Sequence, residues 1–149
     1  MTPGSSRLPN AVTLCRLFCL AAGPFLLIDG LTGVIFAPAG FGTGDHLPSE
    51  EWNFVFHFNA WHHLLHILNG TVLTAGAIRR SWAPAAALLF GATYAVMAPI
   101  GFIDGDDIFN LFYSSTRENL VHTAFAIQGV TLGLLGLRSQ RTRVATASD

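Results

Sequence analysis

Residues 59–78 read NAWHHLLHILNGTVLTAGAI, an apolar run of membrane-span length whose first twelve positions hold His62, His63, His66, Asn59 and Asn69. At about 100° per residue, Asn59, His62, His63, His66, Asn69 and Gly70 fall within roughly 120° of a helical wheel. The rest of the segment is mainly apolar, with Leu64, Leu65, Ile67, Leu68, Val72 and Leu73. A helix of this kind suits one environment only: its polar stripe must face other protein while its apolar flank meets lipid.

The composition agrees. Of 149 residues 51% are hydrophobic and 11% charged, against about 25% charged in a soluble domain, and the mean hydropathy is +0.47. Apolar stretches at 12–28, 60–78, 82–103 and 120–137 are each close to the roughly 20 residues that cross the hydrocarbon layer. Because lipid offers the backbone no hydrogen bonds, such spans are helical. The expected fold is all-α, an integral membrane four-helix bundle forming a single domain over 1–149. The apolar run after Arg7 encloses Arg16 and lacks a small-x-small cleavage pattern, so it reads as a retained first span, not a cleaved signal.

Local signals mark the helix ends. Asn10 after Pro9 is a cap for the first helix, Ser81 with Pro84 for the third, and Ser115 with Glu118 forms an S-x-x-E capping box for the fourth. The outer loop 29–58 is rich in glycine and proline, and Ser49-Glu50-Glu51 reads as the start of a short helix carrying Trp52, Val55 and Phe56. The tail 139–149 is polar and expected to be disordered.

All eight basic residues are arginine. Arg7, Arg16, Arg79, Arg80, Arg138, Arg141 and Arg143 fall on one side of an even number of spans, and the opposite loops hold Asp29, Asp45, Glu50, Glu51, Asp104, Asp106, Asp107 and Glu118 with Arg117. The positive-inside rule then puts both termini in the cytoplasm. No basic patch interleaved with aromatics points to nucleic acid, and neither a phosphate-binding loop nor a nucleophile elbow is present. Cys15 and Cys19 read as packing thiols, and the acidic run at 104–107 as a solvated turn, since it lacks the spacing of a calcium loop.

Asn59-x-x-His62 and Asn119-x-x-His122 stand 60 residues apart, and Ile28-Asp29-Gly30 and Ile103-Asp104-Gly105 stand 75 apart. The pattern predicts two similar helical hairpins in parallel repeat. On the fourth helix Asn119, His122, Ala126, Gly129 and Gly133 form the matching stripe, with a G-x-x-x-G pair that permits close backbone approach. These polar positions have two readings. In the first, Asn59, His63, Asn69 and Asn119 are a structural cluster that hydrogen-bonds between helices of a non-catalytic membrane component binding a partner subunit, a lipid or a small molecule. In the second, His62, His66 and His122 hold a transition metal, or His62 and His122 are opposed axial ligands of a haem, in a protein serving electron transfer. His46 and His57 read as solvated loop residues.

The paired N-x-x-H motifs and the four-span layout resemble a bacterial family of small four-helix membrane proteins catalogued as a domain of unknown function. The resemblance implies a multi-pass bacterial membrane protein. Composition and charge place it in the cytoplasmic membrane, and the expected partners are the bilayer and another membrane subunit or a second copy. His63 and His66 exceed the family pattern. Thr123 and Ala126 occupy the corresponding places in the second half.

Overall fold

The computed structural model describes residues 10–36, 40–42, 50–52, 56–104 and 107–147. Among them are four α-helices: α1 (Ala11–Phe36), α2 (Ala60–Ile78), α3 (Ala83–Asp104) and α4 (Thr116–Ala147). Two short antiparallel hairpins fill the loops between α1 and α2 and between α3 and α4. In the first, β1 (Glu50–Trp52) pairs with β2 (Phe56–Phe58), with Glu51 opposite His57. In the second, β3 (Asp107–Ile108) pairs with β4 (Phe112–Tyr113), around a tight turn in which Phe109 and Asn110 adopt positive φ.

Three of the described helices, α1, α3 and α4 up to Ala145, are long and apolar enough to cross a membrane. That marks a multi-pass membrane protein. The helix α2 falls below that measure because its first half carries His62, His63, His66 and Asn69, all buried.

The helices run up and down and pack closely along glycine. In the first pair, a Cβ on Gly23 would lie 2.7 Å from Thr74 N and one on Gly70 2.5 Å from Leu27 N. In the second pair, a Cβ on Gly129 would lie 2.6 Å from the Gly91 Cα, so the G-x-x-x-G face meets backbone as small residues allow. Between the pairs, buried Cys15, Cys19, Leu26, Leu73, Phe90 and Tyr94 form the apolar core. The Phe90 ring meets Phe18 and Phe125 edge-on or tilted, at 5.5 and 5.3 Å between centroids. Arg16 ties the helix ends at one end of the bundle, its Nε donating to Ala77 O at 2.9 Å.

Several elements differ from the sequence expectations. The first helix does not stop at Ile28 but continues to Phe36, because Gly30 and Gly33 let α1 lie directly on α2 and Leu31, Val34 and Ile35 continue its apolar surface. The tail read as disordered is helical to Ala147: Gln140 Nε2 donates to Ser81 O at 2.9 Å, and no glycine or proline interrupts the run after Gly136. The stretch read as a short helix from Glu50 is instead strand β1, with Phe56 in β2; a run of Trp, Phe and Val favours a pleated ribbon. Ser49 and Val55 of that reading lie outside the described residues, as do Arg7, Asp45, His46 and Asp106. Ser81 sits in the α2–α3 turn and does not cap α3; the turn is closed by Trp82 N donating to Arg79 O, and Trp82 O accepts the first helical bond, from Ala86 N.

Two caps form as read. Asn10 Oδ1 accepts from Thr13 N at 3.1 Å. In the capping box, Ser115 N donates to Glu118 Oε2 while Ser115 O accepts from Asn119 N.

Candidate functional site

The polar residues gather at the end of the bundle where the two β-hairpins sit. Asn59 is the N-cap of α2, in extended conformation, with Oδ1 accepting from His62 N at 3.1 Å. Its Nδ2 reaches the other loop and donates to Leu111 O at 2.7 Å. His62 follows it there: Nδ1 lies 2.9 Å from Tyr113 O. A carbonyl can only accept, so Nδ1 carries the proton, and in the neutral ring Nε2 keeps a lone pair. Glu118 ties the loops in the other direction, its Oε1 accepting from His57 N at 2.6 Å. Each loop is thus bonded to the first turn of the other hairpin's second helix.

Asn119 is placed differently from Asn59. It lies one turn inside α4, where its Oδ1 accepts from Ser114 Oγ at 2.8 Å and its side chain fills the space beside Gly101, whose added Cβ would be 2.1 Å from it. Asn69 donates to Leu65 O at 3.1 Å within its own helix. Asn59, Asn119, His62, His63, His66, Asn69 and His122 are all buried.

The four helical histidines form one aromatic cluster with Phe58. His62 lies 4.9 Å from His66 and 5.4 Å from His122, measured between ring centroids, and Phe58 is 4.2 Å from His62. His122 in turn rests on Tyr94 at 4.8 Å. The imidazoles of His62 and His122, read as axial haem ligands, are tilted by 36° to one another at their 5.4 Å separation. His57 is exposed on β2, as read from the sequence.

What sequence reasoning missed is Asp29. Read as the first residue of a loop, it lies inside α1 and is buried, 9% exposed, with Oδ2 2.7 Å from His66 Nδ1. A carboxylate on one helix and an imidazole on the next, away from water, hold each other in fixed orientation. His63 stands beside them, its ring lying over Gly33 so closely that a Cβ there would be 2.0 Å from Nδ1. The ligand atoms of Asp29, His63 and His66 all lie within 4.8 Å of one another. The continuing apolar period after Gly30, with glycine at 30 and 33 on one face, was the signal that could have put Asp29 in a helix.

Next to this group, between α1 and α4, is a cavity of about 70 Å³. Phe25 and Leu26 of α1, Phe56 and Phe58 of β2, and Val121 and Phe125 of α4 supply its apolar wall, and Asp29, His66, Glu118 and His122 its polar side. Three buried atoms beside or behind it, His122 Nδ1, His62 Nε2 and Tyr94 OH, have no hydrogen-bond partner among the described residues.

No curated protein and no solved structure matches the chain. One family model does, over residues 16–135, a span that takes in α2 and α3 whole, most of α1 and α4, and the whole polar cluster: the chain belongs to the DUF4383 family, a domain of unknown function.

Proposed function

We propose that this protein is a non-catalytic component of the bacterial cytoplasmic membrane that binds a small neutral lipophile in the cavity between α1 and α4. The observation that carries this reading is the cavity itself: a largely aromatic chamber lined by His122, whose buried Nδ1 has no hydrogen-bond partner among the described residues. Buried polar groups are nearly always bonded. A cavity of about 70 Å³ exceeds what one water needs, and a ligand with one hydrogen-bonding ring would satisfy the imidazole while filling the apolar part.

The chemistry of the wall narrows the ligand class. Neither arginine nor lysine lines the cavity, whereas Asp29 and Glu118 do, so a phosphate or fatty-acid carboxylate would meet like charge. Glu118 already accepts from His57 N and Ser115 N. That leaves His122 to bond an uncharged oxygen, with Phe56, Phe58 and Phe125 beside a planar ring. Phe25, 62% exposed on the lipid-facing side of α1, marks where an apolar tail would leave. A quinone or phenol with such a tail has all three properties.

The arginine distribution supports both termini inside and the two β-hairpins outside. Pro24 of α1 and Pro99 of α3 stand 75 residues apart, as do Asp29 and Asp104, and each helix pair encloses a β-hairpin; these support the two-hairpin repeat.

Ligand binding is tested on the full chain in mild detergent by melting temperature with and without a ubiquinone carrying one isoprene unit, with a phosphatidylglycerol of short chains as comparison. The quinone should raise the midpoint in proportion to the logarithm of its concentration, and Phe125→Trp, which fills the cavity, should remove the effect. A midpoint that responds to the phospholipid alone would refute the ligand class. Orientation is tested with Cys15 and Cys19 replaced by alanine: Asp104→Cys should react with an impermeant thiol reagent added to intact cells and Arg141→Cys should not. Reaction at Arg141→Cys would reverse the topology.

A further inference from the structure

We infer that Asp29, His63 and His66 form a site for one divalent first-row transition-metal ion, with its remaining coordination position facing the cavity between α1 and α4. Two imidazoles and a carboxylate are a donor set suited to zinc, iron or cobalt, and poorly suited to calcium or magnesium, which take oxygen. The three ligand atoms lie within 4.8 Å of one another, so small side-chain rotations bring them to the roughly 2.0–2.2 Å that zinc requires of nitrogen and oxygen.

The fold supplies this set from two helices. His63 and His66 are three residues apart on α2 and share its buried face, and Asp29 enters from α1, whose Gly30 and Gly33 bring the two backbones together. An ion among them would take the place of the proton now held between His66 Nδ1 and Asp29 Oδ2 and would neutralise a carboxylate kept out of water. With three protein ligands the shell is one short of tetrahedral, the pattern of exchangeable sites as opposed to purely structural ones. Asp29 and His66 also line the cavity, which gives the fourth position access.

The site differs from a triad of His62, His66 and His122. His62 is turned by its Nδ1 bond to Tyr113 O, and the three donor atoms that converge include Asp29 and His63 instead. The site shares Asp29 and His66 with the cavity of the lipophile proposed above, but metal binding is measured with no lipophile present, so either reading can fail alone.

The experiment is titration of the chelator-stripped full chain, in mild detergent, with Co²⁺ and then Zn²⁺, read by visible absorption and by metal content after gel filtration. One ion per chain is expected, with the ligand-field bands of nitrogen and oxygen donors and no thiolate charge-transfer band. Asp29→Asn and His63→Gln should each weaken Co²⁺ by about a hundredfold or more, while His57→Gln leaves it unchanged. Wild-type protein alone can overturn the site, by failing to take up a stoichiometric ion or by showing a thiolate band from Cys15 or Cys19. So would variants that remain folded by circular dichroism and lose the ion on His122→Gln but not on Asp29→Asn.

Discussion

The two helix pairs proposed above as a repeat, α1–α2 and α3–α4, differ in what they bury. Each first helix carries an internal proline, Pro24 or Pro99, each loop a β-hairpin, and each helix pair a glycine contact at the crossing. In the α1–α2 hairpin the aspartate at position 29 is buried and bonded to His66. Asp104, 75 residues further on, is exposed at the end of α3. Where His63 and His66 stand on α2, α4 has Thr123, whose hydroxyl bonds back to Asn119 O at 2.8 Å in its own helix, and Ala126. The second hairpin packs closely without the Asp/His group, so that group is not what a hairpin of this design needs to hold together. Buried ionisable residues that the architecture can do without are evidence of a site, because in a bilayer each costs a few kcal/mol on insertion scales.

The comparison breaks most sharply at the aspartates. Asp29→Ala leaves His66 buried without its carboxylate and should cost about 3 kcal/mol, by analogy with severed buried pairs, whereas Asp104→Ala should stay within about 0.5 kcal/mol of wild type. Reversible unfolding in mixed micelles by a denaturing detergent measures both, and equal losses would undo the distinction. Next in size are the glycines. Gly33→Ala and Gly101→Ala each force a Cβ into a neighbouring side chain, at about 1–3 kcal/mol; only the first should also weaken Co²⁺, since only Gly33 supports His63. Co²⁺ affinity lost equally in both variants would mean that the effect is general loosening. Glu118→Gln replaces a carboxylate that accepts from two backbone N–H groups, and about 1–2 kcal/mol should go with the charge-assisted bonds. The smallest effect is expected from Thr123→His combined with Ala126→His: Co²⁺ stoichiometry should remain one per chain, because Asp104 is exposed at the end of α3 and not buried as Asp29 is. A second ion would show that histidines at this spacing are sufficient alone.

Much of this was legible in the residues, for reasons that are local. The polar stripe of α2 follows from the 3.6-residue period, and Asn10 and the Ser115–Glu118 pair are caps whose partners lie three residues away. The site was half legible: His63 and His66 stood out as the histidines without counterparts, but Asp29 looked like a loop. Its helical state depends on Gly30 and Gly33 meeting Ile67 and His63 on another helix, a tertiary contact that overrides the breaking tendency of glycine. The strands β1 and β2 were missed similarly, since a capping pattern at Ser49 competes with the β preference of the aromatic residues that follow. The helical tail is the reverse case: its polarity suggests disorder, yet the run from Leu137 to Ala147 has no glycine or proline to break a helix.

The reciprocal bonding of the two loops has a consequence for how the chain is made. Synthesis delivers the α1–α2 hairpin to the membrane before α3 and α4 exist. Until they arrive, the Asn59 amide lacks Leu111 O, His62 lacks Tyr113 O and the His57 amide lacks Glu118. A nascent first half therefore presents unsatisfied donors at the membrane edge, which lipid cannot serve and which interfacial water, the translocation machinery or a chaperone must hold in the meantime. The second half then acts as the last step of assembly for the first. Expressed as two separate hairpins, each half should be short-lived alone and long-lived when both are present, a dependence visible in pulse-chase decay.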